Sequence, residues 1–168
     1  MASSHIQEQL KELETPAVLL DATQLASNLS SMQKRADRHG VALRPHVKTH
    51  KSLEIGRRQL DLGATGITVA TLDEAIVFIE GGFASITIAR PMVSATKWDR
   101  LFSALESHEA DVRIVADSEE GLRIAADRAT AYDKKVGIFI KIDVGLHRCG
   151  LSPEDKRLLD LAIMAQEA

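Results

Sequence analysis

The sequence predicts an α/β fold in which parallel strands alternate with helices. Two observations predict it: short apolar runs rich in β-branched residues recur along the chain, and between them the apolar residues step by three or four, as on one face of a helix. Strict alternation of this kind implies parallel strands joined by right-handed crossovers. The predicted strands are 16–20, 42–48, 66–70, 85–89, 112–116 and 136–144.

The helical segments carry their own start and stop signals. The first apolar stripe runs from Leu25 to Ala36 and ends at Gly40, and the second ends before Gly63, as expected for glycines that follow a helix. The segment Thr71–Glu74 has the form of a capping box and predicts the start of the third helix. Ser152–Glu154, with proline in second place, predicts the start of the sixth.

Polar residues follow nearly every predicted strand, which favours a (β/α)8 barrel over an open sheet. A barrel draws its active site from the carboxyl ends of many strands, whereas an open sheet binds ligands near one switch point. No Gly-x-Gly-x-x-Gly follows the first strand. We therefore expect a partial TIM barrel with about six of its eight β/α units. The polar residues are Asp21, Lys48, Thr49, Thr71, Arg90, Asp117, Asp143, His147 and Arg148.

Composition limits the class of protein. The 168 residues are 45% hydrophobic and 27% charged, with a formal net charge of -3, which is typical of a globular domain without a broad cationic surface for nucleic acid. No apolar run approaches the roughly 18 residues of a membrane span. A single cysteine, Cys149, excludes an internal disulfide and favours a reducing, cytoplasmic location. The expected partners are small molecules or further copies of the chain.

The segment 43–52 places basic side chains where a strand should bury apolar ones. In an extended chain, alternation would put Arg44, His46 and Lys48 on one face and the apolar residues on the other. A strand with one cationic face and one apolar face is expected to line a cavity. This face is the first candidate site.

Lys48 is the candidate nucleophile of this face. Loss of solvation and repulsion from Arg44 would both favour its neutral amine, which can attack a carbonyl; the alternative is a lysine that simply reaches solvent. A metal site made by His46 and His50 is disfavoured because four residues of strand span roughly 13 Å. One of these histidines can instead be a hydrogen-bonded wall residue.

The second candidate segment is 141–150. Alternation along 136–144 would turn Lys141 and Asp143 into the barrel, where opposite charges are expected to pair. Glycines flank the next residues and suggest a tight loop from which Arg148 could reach a ligand oxygen, although a solvated arginine is the alternative. Cys149 is expected to be a packing residue, because no activating arrangement is evident.

Together these motifs resemble the D-threonine aldolase and D-serine dehydratase-like family of pyridoxal-phosphate enzymes, which have an alanine racemase type of barrel. The most specific motif is Arg-Pro-His-Val-Lys-Thr-His-Lys at 44–51. The resemblance implies that Lys48 is the Schiff-base lysine, that Arg148 lies near the phenolic oxygen of the cofactor, and that His46 belongs to the cofactor site. The matching segments are 15–21, 44–51, 63–64 with 70–75, and 143–145 with 148–150.

The resemblance also implies a function. It indicates a pyridoxal 5'-phosphate lyase that acts on D-3-hydroxy amino acids such as D-threonine or D-serine. Cleavage to glycine and an aldehyde, and elimination of the β-hydroxyl, both remain open. Full-length family members also use a divalent metal, Mn or Zn, and a homodimer is possible.

The expected domain organisation is an arm at 1–14 followed by an incomplete pyridoxal-phosphate barrel at 15–168. By the resemblance, the C-terminal β domain that carries the metal ligands is absent from this sequence. Weak cofactor binding and little catalysis by the chain alone are therefore expected. A non-catalytic pyridoxal-phosphate barrel and an inactive fragment are the alternatives.

Overall fold

A four-stranded parallel sheet forms the centre of the computed structural model, which describes residues 8 and 10–167. Each strand pairs in parallel with the next one along the chain, in the order β1-β2-β3-β4. The predicted parallel α/β architecture is confirmed. The strands are β1 (Ile67–Val69), β2 (Ser85–Ile88), β3 (Asp111–Ala116) and β4 (Gly137–Ile140).

Helices lie between the strands, and side chains cap the starts of several of them; the sequence predicts the cap at Thr71 but not the one at Asp21. Asp21 and Thr71 accept the N–H groups of Gln24 and Glu74, at 2.8 and 3.2 Å. The predicted start of the last helix at Ser152 is wrong: the Asp155 carboxylate instead accepts the N–H of the first helical residue at 3.0 Å. The helices are α1 (Ala22–Arg38), α2 (Leu53–Asp61), α3 (Leu72–Glu80), α4 (Ala95–Ser107), α5 (Glu119–Ala131) and α6 (Arg157–Glu167). None of those in the described ranges is long and apolar enough to cross a membrane.

The core lies between one face of the sheet and the helices. Trp98 of α4 is 1% exposed, and its indole N–H donates to the Met92 carbonyl at 3.1 Å. Its ring stacks on Phe102 at 5.7 Å, and Phe102 stacks on Tyr132 at 5.4 Å. These contacts join α4 to the end of α5. The buried strand residues of this core are Ile67, Val69, Ile86, Ile88, Val112 and Ile114.

The last strand alternates as the sequence predicts. Ile138 and Ile140 pack with Leu161 of α6, whereas Phe139 points to the other face and is half exposed. That other face corresponds to the interior of a barrel. Its residues on the preceding strands include Thr68, Thr87 and Arg113, which lie in register with one another.

The first two predicted strands do not form as expected. Residues 16–20 have no strand partner and are exposed. In the second segment only His46 makes a bridge, to Thr68 of β1, and the chain then enters a 3-10 turn at Val47–Thr49. Alternation of side chains therefore stops at this turn. The predicted arm at 1–14 lies mostly outside the described residues.

Candidate active site

Lys48 lies on a turn, residues 47–50, that is anchored on both sides and is called the lysine turn below. The Nδ1 atom of His46 accepts the Lys48 N–H at 3.4 Å, and the His50 N–H donates to the Val47 carbonyl at 3.2 Å. Val47 is fully buried in the core, whereas Lys48 is exposed. The turn follows a segment that pairs in parallel with β1, so it lies at the carboxyl edge of the sheet. The lysine amine thus extends into solvent from a fixed point on that edge.

Arg44 does not share this site, which corrects the prediction of a three-residue cationic face. Its guanidinium donates to the carbonyl and hydroxyl oxygens of Ser85, at 3.1 and 3.0 Å. Ser85 is the first residue of β2, so these bonds lie at the amino edge of the sheet, away from Lys48. Gly66 makes the approach possible, because a Cβ there would collide with the guanidinium. Alternation predicted the face of Arg44 but not the reach of its long side chain.

Glu74 joins the lysine turn to the start of α3. One carboxylate oxygen lies 3.2 Å from the Lys51 ammonium, and the other accepts the Ala70 N–H at 2.7 Å. Burial raises the pKa of Glu74, but the bonds from Ala70 and Lys51 outweigh it and bring the pKa below its ordinary value of 4.5. The capping box predicted the position of Glu74. It gave no sign of the bond to Lys51, which depends on how the turn approaches the helix.

His46 and His50 both accept a backbone N–H through Nδ1. An imidazole that accepts at Nδ1 is neutral and carries its proton on Nε2. Burial lowers the pKa of both histidines below 6.5, and Lys48 lowers that of His46 further. The environment therefore stabilises the protonation state that these hydrogen bonds require.

Asp143 organises the second candidate segment. Its carboxylate accepts the N–H groups of Gly145 and His147, at 2.9 and 3.0 Å, and lies 3.0 Å from Nδ1 of His147. These bonds, chiefly those from the backbone, lower the pKa of Asp143. The predicted pairing of Asp143 with Lys141 is therefore wrong. The strand ends at Ile140, so alternation no longer determines where Asp143 points.

Arg148 is exposed on the loop that Asp143 organises. The Gly150 N–H donates to the Asp117 carboxylate at 3.0 Å, and the Asp143 N–H donates to the Leu151 carbonyl at 2.8 Å. Asp117 follows β3, so the loop is fixed to two neighbouring strand ends. Because all the strands are parallel, Arg148 and Lys48 lie at the same edge of the sheet. Cys149 is partly buried.

Metal ligands do not converge in residues 8 and 10–167. Within these ranges no group of three or more His, Cys, Asp or Glu side chains could hold a metal ion.

A comparison with known protein families identifies the family that has this arrangement. A family model described as alanine racemase, N-terminal domain, matches residues 20–167. The chain belongs to this family. The match includes the lysine turn, the whole sheet and the Arg148 loop. The sequence predicted a barrel of the alanine racemase type, and this is the family that matches. The predicted fold class, a partial α/β barrel of this type, is confirmed.

Similar members of the family include two enzymes and one solved structure. A D-threonine aldolase from Arthrobacter sp is 35% identical over 160 residues, covering 95% of this chain and 41% of the relative. A D-threo-3-hydroxyaspartate dehydratase from Delftia sp. (strain HT23) is 36% identical over 156 residues, covering 92% and 40%. The crystal structure of D-threonine aldolase from Filomicrobium marinum matches with a TM-score of 0.89 at 30% identity, over 95% of this chain and 42% of that one. The chain thus spans about two fifths of the length of these relatives.

Proposed function

We propose that this chain carries the cofactor anchor of a pyridoxal 5'-phosphate lyase that acts on D-3-hydroxy amino acids, with Lys48 as the anchor. The observation that supports this most directly is the exposed amine of Lys48 on a turn fixed at the carboxyl edge of the sheet. The names of the similar relatives, an aldolase and a dehydratase of D-hydroxy amino acids, agree with the proposal.

The residues of this edge fit such a cofactor. A primary amine can bind an aldehyde covalently, and an arginine on the same edge can bind an oxygen anion. Lys48 supplies the amine, Arg148 supplies the guanidinium, and neutral His46 lies beside the lysine backbone. When bound, the cofactor supplies an electron sink for negative charge that develops at the α-carbon of a substrate.

Contacts of the chain favour Lys48 over Lys51 as the lysine that reacts. Lys51 is only three residues from Lys48, but Glu74 engages its ammonium at 3.2 Å. His46 accepts the backbone N–H of Lys48, and Lys48 itself is exposed. Lys48 is therefore the residue of this turn that we assign to the carbonyl of the cofactor.

Two types of lyase are proposed, an aldolase and a dehydratase. Aldol cleavage and elimination of water both act on a D-amino acid with a β-hydroxyl, such as D-threonine or D-serine. A divalent metal, Mn or Zn, and a homodimer are part of the proposal for the whole protein. The alternative function is a pyridoxal-phosphate-binding barrel without catalysis.

Mapping the modified lysine tests the anchor. The purified chain is incubated with pyridoxal 5'-phosphate, reduced with borohydride and digested for peptide mass analysis. We expect the label on Lys48, its loss in Lys48→Ala and its retention in the matched control Lys51→Ala. Label mainly at another lysine, or no label, would contradict the anchor assignment.

Activity assays then separate the two candidates. D-threonine and D-serine are offered to protein that is loaded with pyridoxal 5'-phosphate but not reduced, with and without manganese or zinc. Release of an aldehyde indicates aldol cleavage, and release of ammonia indicates dehydration. A chain labelled at Lys48 that releases neither product supports the non-catalytic barrel.

A further inference from the structure

His50 closes the lysine turn on the side that faces helix α2. Its backbone N–H donates to the Val47 carbonyl, and its Nδ1 accepts the Ser52 N–H at 3.1 Å. Ser52 is the N-cap of α2, where its hydroxyl accepts the Ile55 N–H at 3.3 Å. One imidazole thus connects the last residue of the turn to the cap of the next helix.

The second nitrogen of the same ring points to the same helix. Because Nδ1 is an acceptor, the proton lies on Nε2. Nε2 is buried near the side chain of Gln59, and within the described residues neither Nε2 nor the Gln59 side-chain oxygen is within hydrogen-bonding geometry of a partner. Burial lowers the pKa of His50, and the Gln59 side chain opposes that change. The ring is therefore bonded to helix α2 at its cap and buried against the same helix near Gln59, so rotation of the ring would break the bond to Ser52.

Between the turn and the helix lies a residue with unfavourable backbone geometry. Lys51 has a φ of 49°, in the left-handed region that costs a residue with a side chain on the order of 1 kcal/mol. Such a conformation persists only where neighbouring contacts hold it. The bond from Nδ1 of His50 to the N–H of Ser52 spans this residue. His50 therefore holds the strained link closed.

We propose that His50 is a positioning residue that fixes the direction in which Lys48 leaves the turn, by locking the turn onto helix α2. The inference rests on the proposed function, in which the Lys48 amine reacts with a carbonyl. His50 touches neither the cofactor nor the substrate in this role. Its loss allows Lys51 to relax and the turn to rotate, so the amine is presented in many directions.

Three variants separate the two contacts of the ring. His50→Asn keeps an acceptor near the position of Nδ1 but loses Nε2, and His50→Leu removes both groups. Gln59→Met leaves residue 50 intact and removes only the polar group beside Nε2, so it keeps the test possible if His50→Leu does not fold. His39→Asn, at an exposed histidine, is the matched control.

Two measurements are made on each folded variant. Hydrogen exchange at the Ser52 amide reports the lock without any cofactor. Labelling with pyridoxal 5'-phosphate and borohydride reports the ratio of Lys48 to Lys51 modification. The pH midpoint of the absorbance of the imine, measured before reduction, reports the surroundings of the amine. A role in stability alone would move neither the ratio nor the midpoint.

We expect His50→Leu to speed exchange at Ser52 about tenfold, as for the loss of one hydrogen bond, and to reduce the Lys48 to Lys51 ratio about tenfold. His50→Asn should keep Ser52 protected and retain most of the ratio, and Gln59→Met should lower the ratio several-fold.

Wild-type values of the labelling ratio and of the pH midpoint in His50→Leu would overturn the inference. If His50→Leu does not fold, a normal labelling ratio in Gln59→Met would overturn it. Unchanged Ser52 exchange in His50→Leu would overturn it as well. If the wild-type protein takes no label at Lys48 while Ser52 loses protection only in His50→Leu, the proposed function fails and the lock between turn and helix stands.

Discussion

The Lys51 ammonium lies 3.2 Å from the Glu74 carboxylate, and this contact joins the lysine turn to helix α3. The glutamate side chain is only 11% exposed, and its second oxygen accepts the Ala70 N–H. The same residue thus satisfies a backbone donor and an ammonium. Two substitutions of Glu74, to alanine and to glutamine, separate these two roles.

Glu74→Ala should lower the free energy of unfolding by about 1–2 kcal/mol, because it leaves the Ala70 N–H without its acceptor. Glu74→Gln keeps an acceptor oxygen and should lose less. Urea denaturation measures both. The matched control is Glu54→Gln, which breaks an exposed pair with Arg58 and should change stability by less than about 0.5 kcal/mol. An effect of Glu74→Ala as small as that of the control would contradict the role given to this carboxylate.

Arg44→Ala should destabilise the fold without removing the lysine label. The substitution removes two hydrogen bonds to Ser85, and we expect a loss of about 1–3 kcal/mol. Borohydride labelling of Lys48 should remain, because Arg44 lies at the opposite edge of the sheet. Denaturation and peptide mapping on the same preparation test both parts. Arg38→Ala, at an exposed position of α1, should change neither; loss of Lys48 labelling in folded Arg44→Ala would show that Arg44 does act at the site.

Gly150→Ala should disturb the loop that carries Arg148. Gly150 has a φ of 98°, and a Cβ there would lie 2.9 Å from the Asp143 nitrogen and the Lys141 carbonyl oxygen. Backbone strain and collision add, so we expect a loss of more than about 2 kcal/mol. Gly145→Ala is the matched control, since its φ is 118° but no atom lies within 4 Å of a Cβ. Thermal denaturation should place Gly150→Ala clearly below Gly145→Ala; equal values would contradict the close packing of the loop.

Stability should fall as the solution is acidified below pH 6.5. His46 and His50 have pKa values below 6.5 in the folded protein, so the unfolded chain binds protons more readily there. Their contribution is complete above pH 6.5 and is lost as the pH falls through the folded pKa values. Glu74 and Asp143, whose pKa values are also lowered, add a second loss in more acidic solution.

Urea denaturation at a series of pH values measures this dependence. His46→Asn and His50→Asn should each flatten the curve between about pH 7 and pH 5, because one titrating group is removed. The exposed His39 provides a control substitution that should leave the curve unchanged. A curve that stays equally steep in both test variants would assign the loss to other groups.

The sequence predicted the repeating part of the fold well. β-branched runs and helical stripes gave β1 to β4 and the helices between them, because each element obeys a regular period. The capping box at Thr71 predicted a helix start for the same local reason, whereas the cap at Asp21 was not recognised. Residues 16–20 carry the same apolar signal, yet they have no strand partner here, since pairing depends on a neighbour that periodicity does not describe.

The candidate site was predicted only in part. Lys48, His46 and Arg148 were identified as candidates, and they lie at the expected edge of the sheet. Their roles in binding stay predictions. Arg44 was misplaced because its side chain reaches back to the start of β2, and Asp143 was mispaired because β4 ends three residues before it. Alternation is informative only while the chain remains extended.

The placement of the single tryptophan has a practical consequence for every experiment above. Trp98 is enclosed by the aromatic stack that joins α4 to α5, on the side of the sheet that faces the helices. Its fluorescence therefore reports the melting of the helical layer and is insensitive to local loosening of the lysine turn. A variant whose emission spectrum is native but whose Ser52 amide exchanges rapidly has lost the turn alone, so the two signals together distinguish a damaged site from an unfolded protein.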